Sequence, residues 1–274
     1  MIRRCGLIYC MAKTQNELAF LRDMAVDGEW TRRFADLVDK HVDFTDSENL
    51  LYINAGTGGH ALAIHEKFGK KTNIFATCEN EDILKIARDK AAALRLDVDF
   101  SCIRFEDDSF DAVLADASLV RFADVEEFIE NVVRVARTDG DVAVFLPTAG
   151  SFGEVVSLLW EVLFTQDLGE HGAAAEKLIN DLPTVSRLEE FAERAGLVNV
   201  KTETAIEVFE YENGADFTAS PLVADFLLPL WTEMLDENEK EQIPEKLAQL
   251  IDAEDAGLSF RFSVKATLLT GEKR

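Results

Sequence analysis

Three glycines in four positions, Gly56, Gly58 and Gly59, are the residues whose spacing bears most directly on chemistry. They follow the apolar run Leu50-Leu51-Tyr52-Ile53, bounded by Asn49 and Asn54. Without Cβ atoms, such a turn lets backbone N–H groups come close to a ligand. A nucleotide-binding turn, another cofactor turn and a purely structural connection all share this pattern. Few other groups stand out. His60 follows Gly59 at a helix start, where the dipole disfavours an imidazolium. A neutral His60 could act as a base, although capping or packing is the commoner use of such a residue. His171 lies in a polar stretch and is a weak candidate base. His41 and His65 read as surface or core residues. Cys5, Cys10, Cys78 and Cys102 show no C-x-x-C pairing, so no metal set is expected. Buried free thiols in a reducing cytoplasm are the expected state, with a Cys5–Cys10 disulfide left open. No nucleophile triad is visible.

The Gly-rich turn needs a strand before it and a helix after it. A short apolar run ahead of such a turn predicts a buried strand of a parallel sheet. Beyond it, Ala61, Leu62, Ile64 and Phe68 recur at helical spacing, and Gly69 is placed to end that helix as a C′ residue. Strand, turn and helix in this order make a ligand crevice at the carboxyl ends of the strands. Upstream, Thr14 and Glu17 have the spacing of a capping box. Leu18, Phe20, Leu21 and Met24 supply an apolar face, Gly28 breaks the pattern, and a second helix is predicted over about 29–42. Both read as amphipathic packing helices. Downstream, strands are predicted over 72–77, 97–103 and 110–115, with Asp116 at the sheet's carboxyl edge. Helices are predicted over 81–94 and 125–136. The turn Thr138-Asp139-Gly140 leads to a strand over 141–146, stopped by Pro147.

The second half begins with a helix over 151–164 and a polar stretch, 166–175, that reads as mobile or a lid. Ser186 and Glu189 have capping-box spacing and open a helix ending at Gly196. A strand is predicted over 201–211. Residues 258–268 alternate cleanly, with Phe260, Phe262, Val264, Ala266 and Leu268 on one face, which predicts a strand. Between these strands lie helices near 220–235 and 244–251, with Pro244 at the first position of the second. This segment should cover the active-site end of the sheet, and its apolar residues, Phe217, Leu222, Phe226, Leu227, Leu230 and Trp231, read as core.

This succession resembles the class I S-adenosylmethionine-dependent methyltransferases. Their first motif, an acid followed by three alternating glycines, falls on Tyr52 to Gly58. Gly56 and Gly58 match, Tyr52 stands at the acid and Asn54 at the first glycine. Asn is the best non-glycine occupant of a positive φ. The sequence ENEDILKIARDKA resembles the segment that follows the family's ribose-binding acid. That position falls on Cys78, with Glu79 next. A thiol is a poor partner for ribose hydroxyls, so Glu79 takes the role if the strand end shifts by one. The family's adenine contact comes shortly after the third strand, where the loop is here shortened to begin Arg104-Phe105-Glu106. The likeness is strongest over 110–147, with Thr138-Asp139-Gly140 in place of Pro-Gly-Gly, and LEEFAERAGLVNV resembles the family's last helix and the start of its sixth strand.

The resemblance implies a Rossmann-like, seven-stranded α/β methyltransferase fold, its final strand 258–268 antiparallel between 141–146 and 201–211. It implies an N-terminal helical extension over 1–48 and a methyltransferase-like domain over 49–274, with a helical insertion over about 212–257. It implies S-adenosylmethionine as cofactor, held by Asn54, Ala55, Gly56, Thr57, Gly58, Cys78, Glu79, Asn80, Arg104 and Asp116. The reaction implied is methyl transfer to a small-molecule substrate, nearest the enzymes of ubiquinone and menaquinone biosynthesis. With the ribose carboxylate displaced and Tyr52 at the motif acid, cofactor affinity should fall below what is usual for the fold. The rival is a non-catalytic protein of this fold with a decayed or repurposed cofactor site, and a further alternative is another nucleotide-binding enzyme.

Composition narrows the partners. The 274 residues carry 52 acidic and 28 basic side chains, a formal net charge of −24. That balance speaks against phosphate-neutralising contact with nucleic acid. The acids are spread along the chain, as expected of a solubilising surface. No apolar run reaches the ~18 residues of a membrane span. The N-terminal MIRRCGLIYCMAK makes a poor signal peptide, with Met11 as an alternative start, so the expected location is cytoplasmic.

Overall fold

The computed structural model describes residues 13–69, 71–254 and 259–274. The apolar run before the glycines forms β1, Asn49–Ile53, and the glycines lead into α3, Gly59–Phe68. Ahead of them stand α1 (Gln15–Leu21), a π-helical segment (Arg22–Thr31) and α2 (Arg32–His41). The chain continues through β2 (Asn73–Thr77), α4 (Glu81–Leu94), β3 (Val98–Ser101), β4 (Phe110–Asp116), α5 (Val125–Val135) and β5 (Ala136–Pro147). Next come α6 (Gly153–Thr165), α7 (Gly172–Asp181), α8 (Val185–Arg194) and β6 (Leu197–Tyr211). Three helices, α9 (Gly214–Ala219), α10 (Leu228–Trp231) and α11 (Glu237–Glu254), precede β7 (Phe260–Lys273), with a second short π segment (Leu222–Leu227) before α10.

The strands form one sheet in the order β3-β2-β1-β4-β5-β7-β6. β1 pairs in parallel with β2 and β4, and β7 runs antiparallel between β5 and β6, as the family resemblance implied. The strand order reverses between β1 and β4, and that reversal opens a crevice at their carboxyl ends. Every residue of β4 is buried, which suits a central parallel strand covered on both faces. One face packs against α2, α3, α4 and α6, the other against α5 and α8. The alternation in β7 sends Phe260, Phe262, Val264, Ala266 and Leu268 into the first of these cores. Trp30, at 5.3 Å from Phe209 and 6.1 Å from Phe152, ties the N-terminal helices to the sheet.

Several local expectations are corrected. Gly28 does not break the N-terminal helices; it lies within the π segment. The Thr14–Glu17 capping box is present, but α8 is capped by Thr184, whose hydroxyl accepts from the Arg187 N–H, and not by Ser186. Gly69 is the C-cap of α3 with φ −63°, in the right-handed region, and not a left-handed C′ residue. Thr138-Asp139-Gly140 is a bulge inside β5, where pairing jumps from Phe110↔Ala136 to Ala112↔Asp141. A Cβ on Gly140 would meet the Arg137 carbonyl at 2.8 Å, so glycine is required there. Pro244 sits inside α11, not at its start. The stretch 166–175 is helical over much of its length, and His171 Nε2 lies 3.3 Å from Glu239 on α11. Cys5, Cys10, Met11 and Leu258 lie outside the described residues.

Candidate cofactor site

The Gly-rich turn has the geometry its composition requires. Asn54, Gly56 and Gly58 adopt φ of 57°, 56° and 83°. The Asn54 side chain donates to the Asp116 carbonyl at 3.1 Å, and its N–H donates to Thr77 Oγ1 at 3.2 Å. This one residue therefore ties the carboxyl ends of β1, β2 and β4 together. Gly58 is needed for packing: a Cβ there would meet the Phe100 ring at 2.6 Å. Gly56 is needed for approach, since its Cβ position lies 2.7 and 2.9 Å from the carboxylate oxygens of Asp27.

That carboxylate is the feature the sequence did not announce. Asp27, on the π segment, accepts from the Thr57 N–H at 2.7 Å and from the Thr57 hydroxyl at 2.6 Å. Lys90 on α4 donates to Thr57 Oγ1 at 2.7 Å and is paired with Asp23. Arg22, one end of the same segment, reaches Glu79 at 2.5 Å and lies 3.7 Å from Asp27. Burial works against the Arg22 charge, but Glu79, Asp27 and Asp116 outweigh it and raise its pKa. Burial raises the Asp27 pKa, opposed by Arg22, Thr57 and Lys90. The sequence signal for this segment was no more than polar residues among apolar ones; only the packing assigns them.

Asp116 closes β4 at the crevice, fully enclosed. It accepts from the Ser118 N–H at 2.7 Å, and the Thr31 hydroxyl lies 3.4 Å away. Burial, opposed by Ser118 and Arg22, moves its carboxyl from 3.8 up to about 6. A carboxyl titrating there can hold or release a proton near neutral pH. Trp30 Nε1 donates to Ser118 Oγ at 2.9 Å, so the π segment covers this end as well.

Glu79 is exposed and lines an open pocket of about 310 Å³, shared with Asn54, Thr77, Cys78, Cys102 and Arg104. Its volume is at the lower end for ligand pockets. Burial pushes the Cys78 thiol up to about 12, which keeps it neutral and leaves the Glu79 carboxylate oxygens as the acceptors beside it. Asn80 spends its side chain as the N-cap of α4, accepting from the Ile83 N–H at 3.0 Å. Tyr52, in place of the motif acid, is buried with its hydroxyl 3.0 Å from His60 Nδ1. Tyr52 and His60 Nδ1 thus pair beneath the turn, while His60 Nε2 is buried without a hydrogen-bond partner. Among the described residues, no group of three His, Cys, Asp or Glu could hold a metal ion, and no helix is long and apolar enough to cross a membrane.

Residues 51–144, from β1 to the middle of β5, match the family described as a methyltransferase domain. No curated protein matches the chain in sequence. Solved structures share the fold. YcgJ of Bacillus subtilis superposes with a TM-score of 0.56 at 17% identity, over 89% of this chain and 99% of its own. A proposed methyltransferase of Bacillus halodurans C-125 gives 0.56 at 16%, over 88% and 99%. Haemonchus contortus phosphoethanolamine N-methyltransferase 2, solved with phosphomonomethylethanolamine and S-adenosylhomocysteine, gives 0.55 at 15%, over 96% of this chain and 59% of that one. Residues 51–144 therefore match the methyltransferase-domain family model, and the chain shares its fold with solved structures described as methyltransferases.

Proposed function

We propose that this protein transfers a methyl group from S-adenosylmethionine to a small molecule. The observation that carries the reading is the carboxylate cradle at the Gly-rich turn, beside Glu79 just past the end of β2. The cradle already takes a carboxylate, that of Asp27, where a Cβ on residue 56 would intrude. The amino-acid end of S-adenosylmethionine carries the same group, so the donor set suits it. Glu79 is the acceptor for ribose hydroxyls, and Asn54, Arg104 and the neutral Cys78 line the pocket beside it.

Bound there, the cofactor supplies an electrophilic methyl on a sulfonium. The chain's part is to align the acceptor and exclude water. The helices between β6 and β7 and the aromatic group Trp30, Phe152 and Trp231 enclose the ends of β4 and β5. Enclosure and the acidic charge both favour a small molecule over nucleic acid.

Thermal melting with S-adenosylmethionine and S-adenosylhomocysteine tests the reading. Ligand at about a hundred times its dissociation constant adds about 2.7 kcal/mol of stability, a rise of several degrees. No shift and no calorimetric heat at millimolar cofactor would leave the non-catalytic, decayed-site alternative in its place.

A further inference from the structure

The π segment fills the contacts a cofactor would use. Asp27 holds the Thr57 N–H at the turn, and Arg22 holds Glu79 at the end of β2. Both reach the crevice from one face of one ten-residue stretch. The helix register makes this possible. In an α-helix, residues five apart point about 140° away from each other. A π-helix bonds residue i to i+5 and brings them back to one side. The arrangement is incompletely satisfied: Arg22 Nε and Asp27 Oδ1 are buried without a hydrogen-bond partner. Beyond the Arg22–Glu79 pair, a pocket of about 310 Å³ stays open in front of Glu79.

We propose that Arg22 and Asp27 form an internal latch, Asp27 at the cofactor's amino-acid subsite and Arg22 on the ribose acceptor Glu79, and that cofactor binds by displacing them as the π segment rearranges. The inference rests on the function proposed above. The latch holds the crevice in a cofactor-like set of contacts while it is empty, and a carboxylate-bearing ligand competes with Asp27 for the Thr57 amide. A ligand that enters from the open pocket meets Glu79 first, and freeing Glu79 from Arg22 loosens the segment that carries Asp27.

Calorimetry of S-adenosylhomocysteine with the wild-type chain and Asp27→Ala tests the latch by the sign of the change. A competing carboxylate predicts that Asp27→Ala binds more tightly, by roughly tenfold to a hundredfold, the scale of one hydrogen bond to a charged group. If Asp27 instead holds the ligand's ammonium, or serves only as structure, the variant binds equally or more weakly, and the latch is overturned. Amide exchange on the wild-type protein gives a second readout that does not depend on the variant's folding. Addition of ligand should raise exchange across 22–31 while lowering it across 54–62. Protection of both stretches would also overturn the proposal. If the folded wild type and folded variant both give no heat, the methyltransferase reading itself fails and the latch falls with it. Equal binding by both defeats the latch alone.

Discussion

Asp116 shows how a single residue reports on the crevice. Its carboxyl is enclosed at the end of β4 and rises from 3.8 to about 6 because burial penalises the charge. Between about pH 4 and 6 the folded protein therefore binds this proton more tightly than the unfolded chain does. The resulting stability is present at low pH and is lost as pH rises through that window. The shift corresponds to roughly 2–3 kcal/mol. Asparagine keeps an oxygen for the Ser118 N–H and carries no charge. Asp116→Asn should thus be more stable than wild type by up to that amount above about pH 6, and equal to it below about pH 4. Urea unfolding of both proteins at several pH values checks this, because the difference between them cancels the titration of the other acids. A pH-independent difference would mean the carboxyl is not held as described.

At the scale of elements, the π segment is the unusual piece. Gly28 is exposed within it, and a Cβ there meets nothing within 4 Å. Gly in a helix interior costs about 0.5–1 kcal/mol relative to Ala. Gly28→Ala should therefore raise unfolding stability by about that amount, measurable as a higher denaturation midpoint with an unchanged slope. A loss of stability would show that the π register depends on glycine at this point. The sequence did not reveal that register. Its apolar residues suit an amphipathic helix in either form, and the i+5 bonding is selected by Trp30 reaching Ser118 and Phe152 while Arg22 and Asp27 reach the crevice. Pro244 inside α11 has a similar lesson. Its missing N–H argued for a helix start, yet the helix runs through it, with Ile243, Leu247 and Ile251 buried on one face.

The whole molecule carries a formal charge of −24. Many acids are paired only at the surface, as with Arg261 and Glu210 at 2.7 Å, both more than half exposed. Such pairs contribute about 0–1 kcal/mol, so they do not cancel the excess. Raising salt from about 0.01 M to 0.15 M shortens the Debye length from about 30 to 8 Å. Self-repulsion across the surface should fall accordingly, and the melting temperature should rise with sodium chloride over this range. An unchanged melting temperature would place the repulsion within the unfolded chain to the same degree as within the folded one.

The sequence by itself determined the order of strands and helices, the left-handed turn at Asn54, Gly56 and Gly58, and the inward face of β7. These are local matters: side-chain period, turn chemistry and apolar run length are set by neighbours within a few residues. It also pointed to Glu79 and Asp116 at the carboxyl ends of their strands, because strand ends are marked by the residues that stop them. Only the tertiary structure decided that Phe100 stands behind Gly58, that Tyr52 turns to His60, and that Asp27 and Arg22 lie in the crevice. Those last contacts join residues far apart in the chain. They arise from how a buried helix settles against a sheet, where packing and charge pairing between elements outweigh any preference a single segment carries.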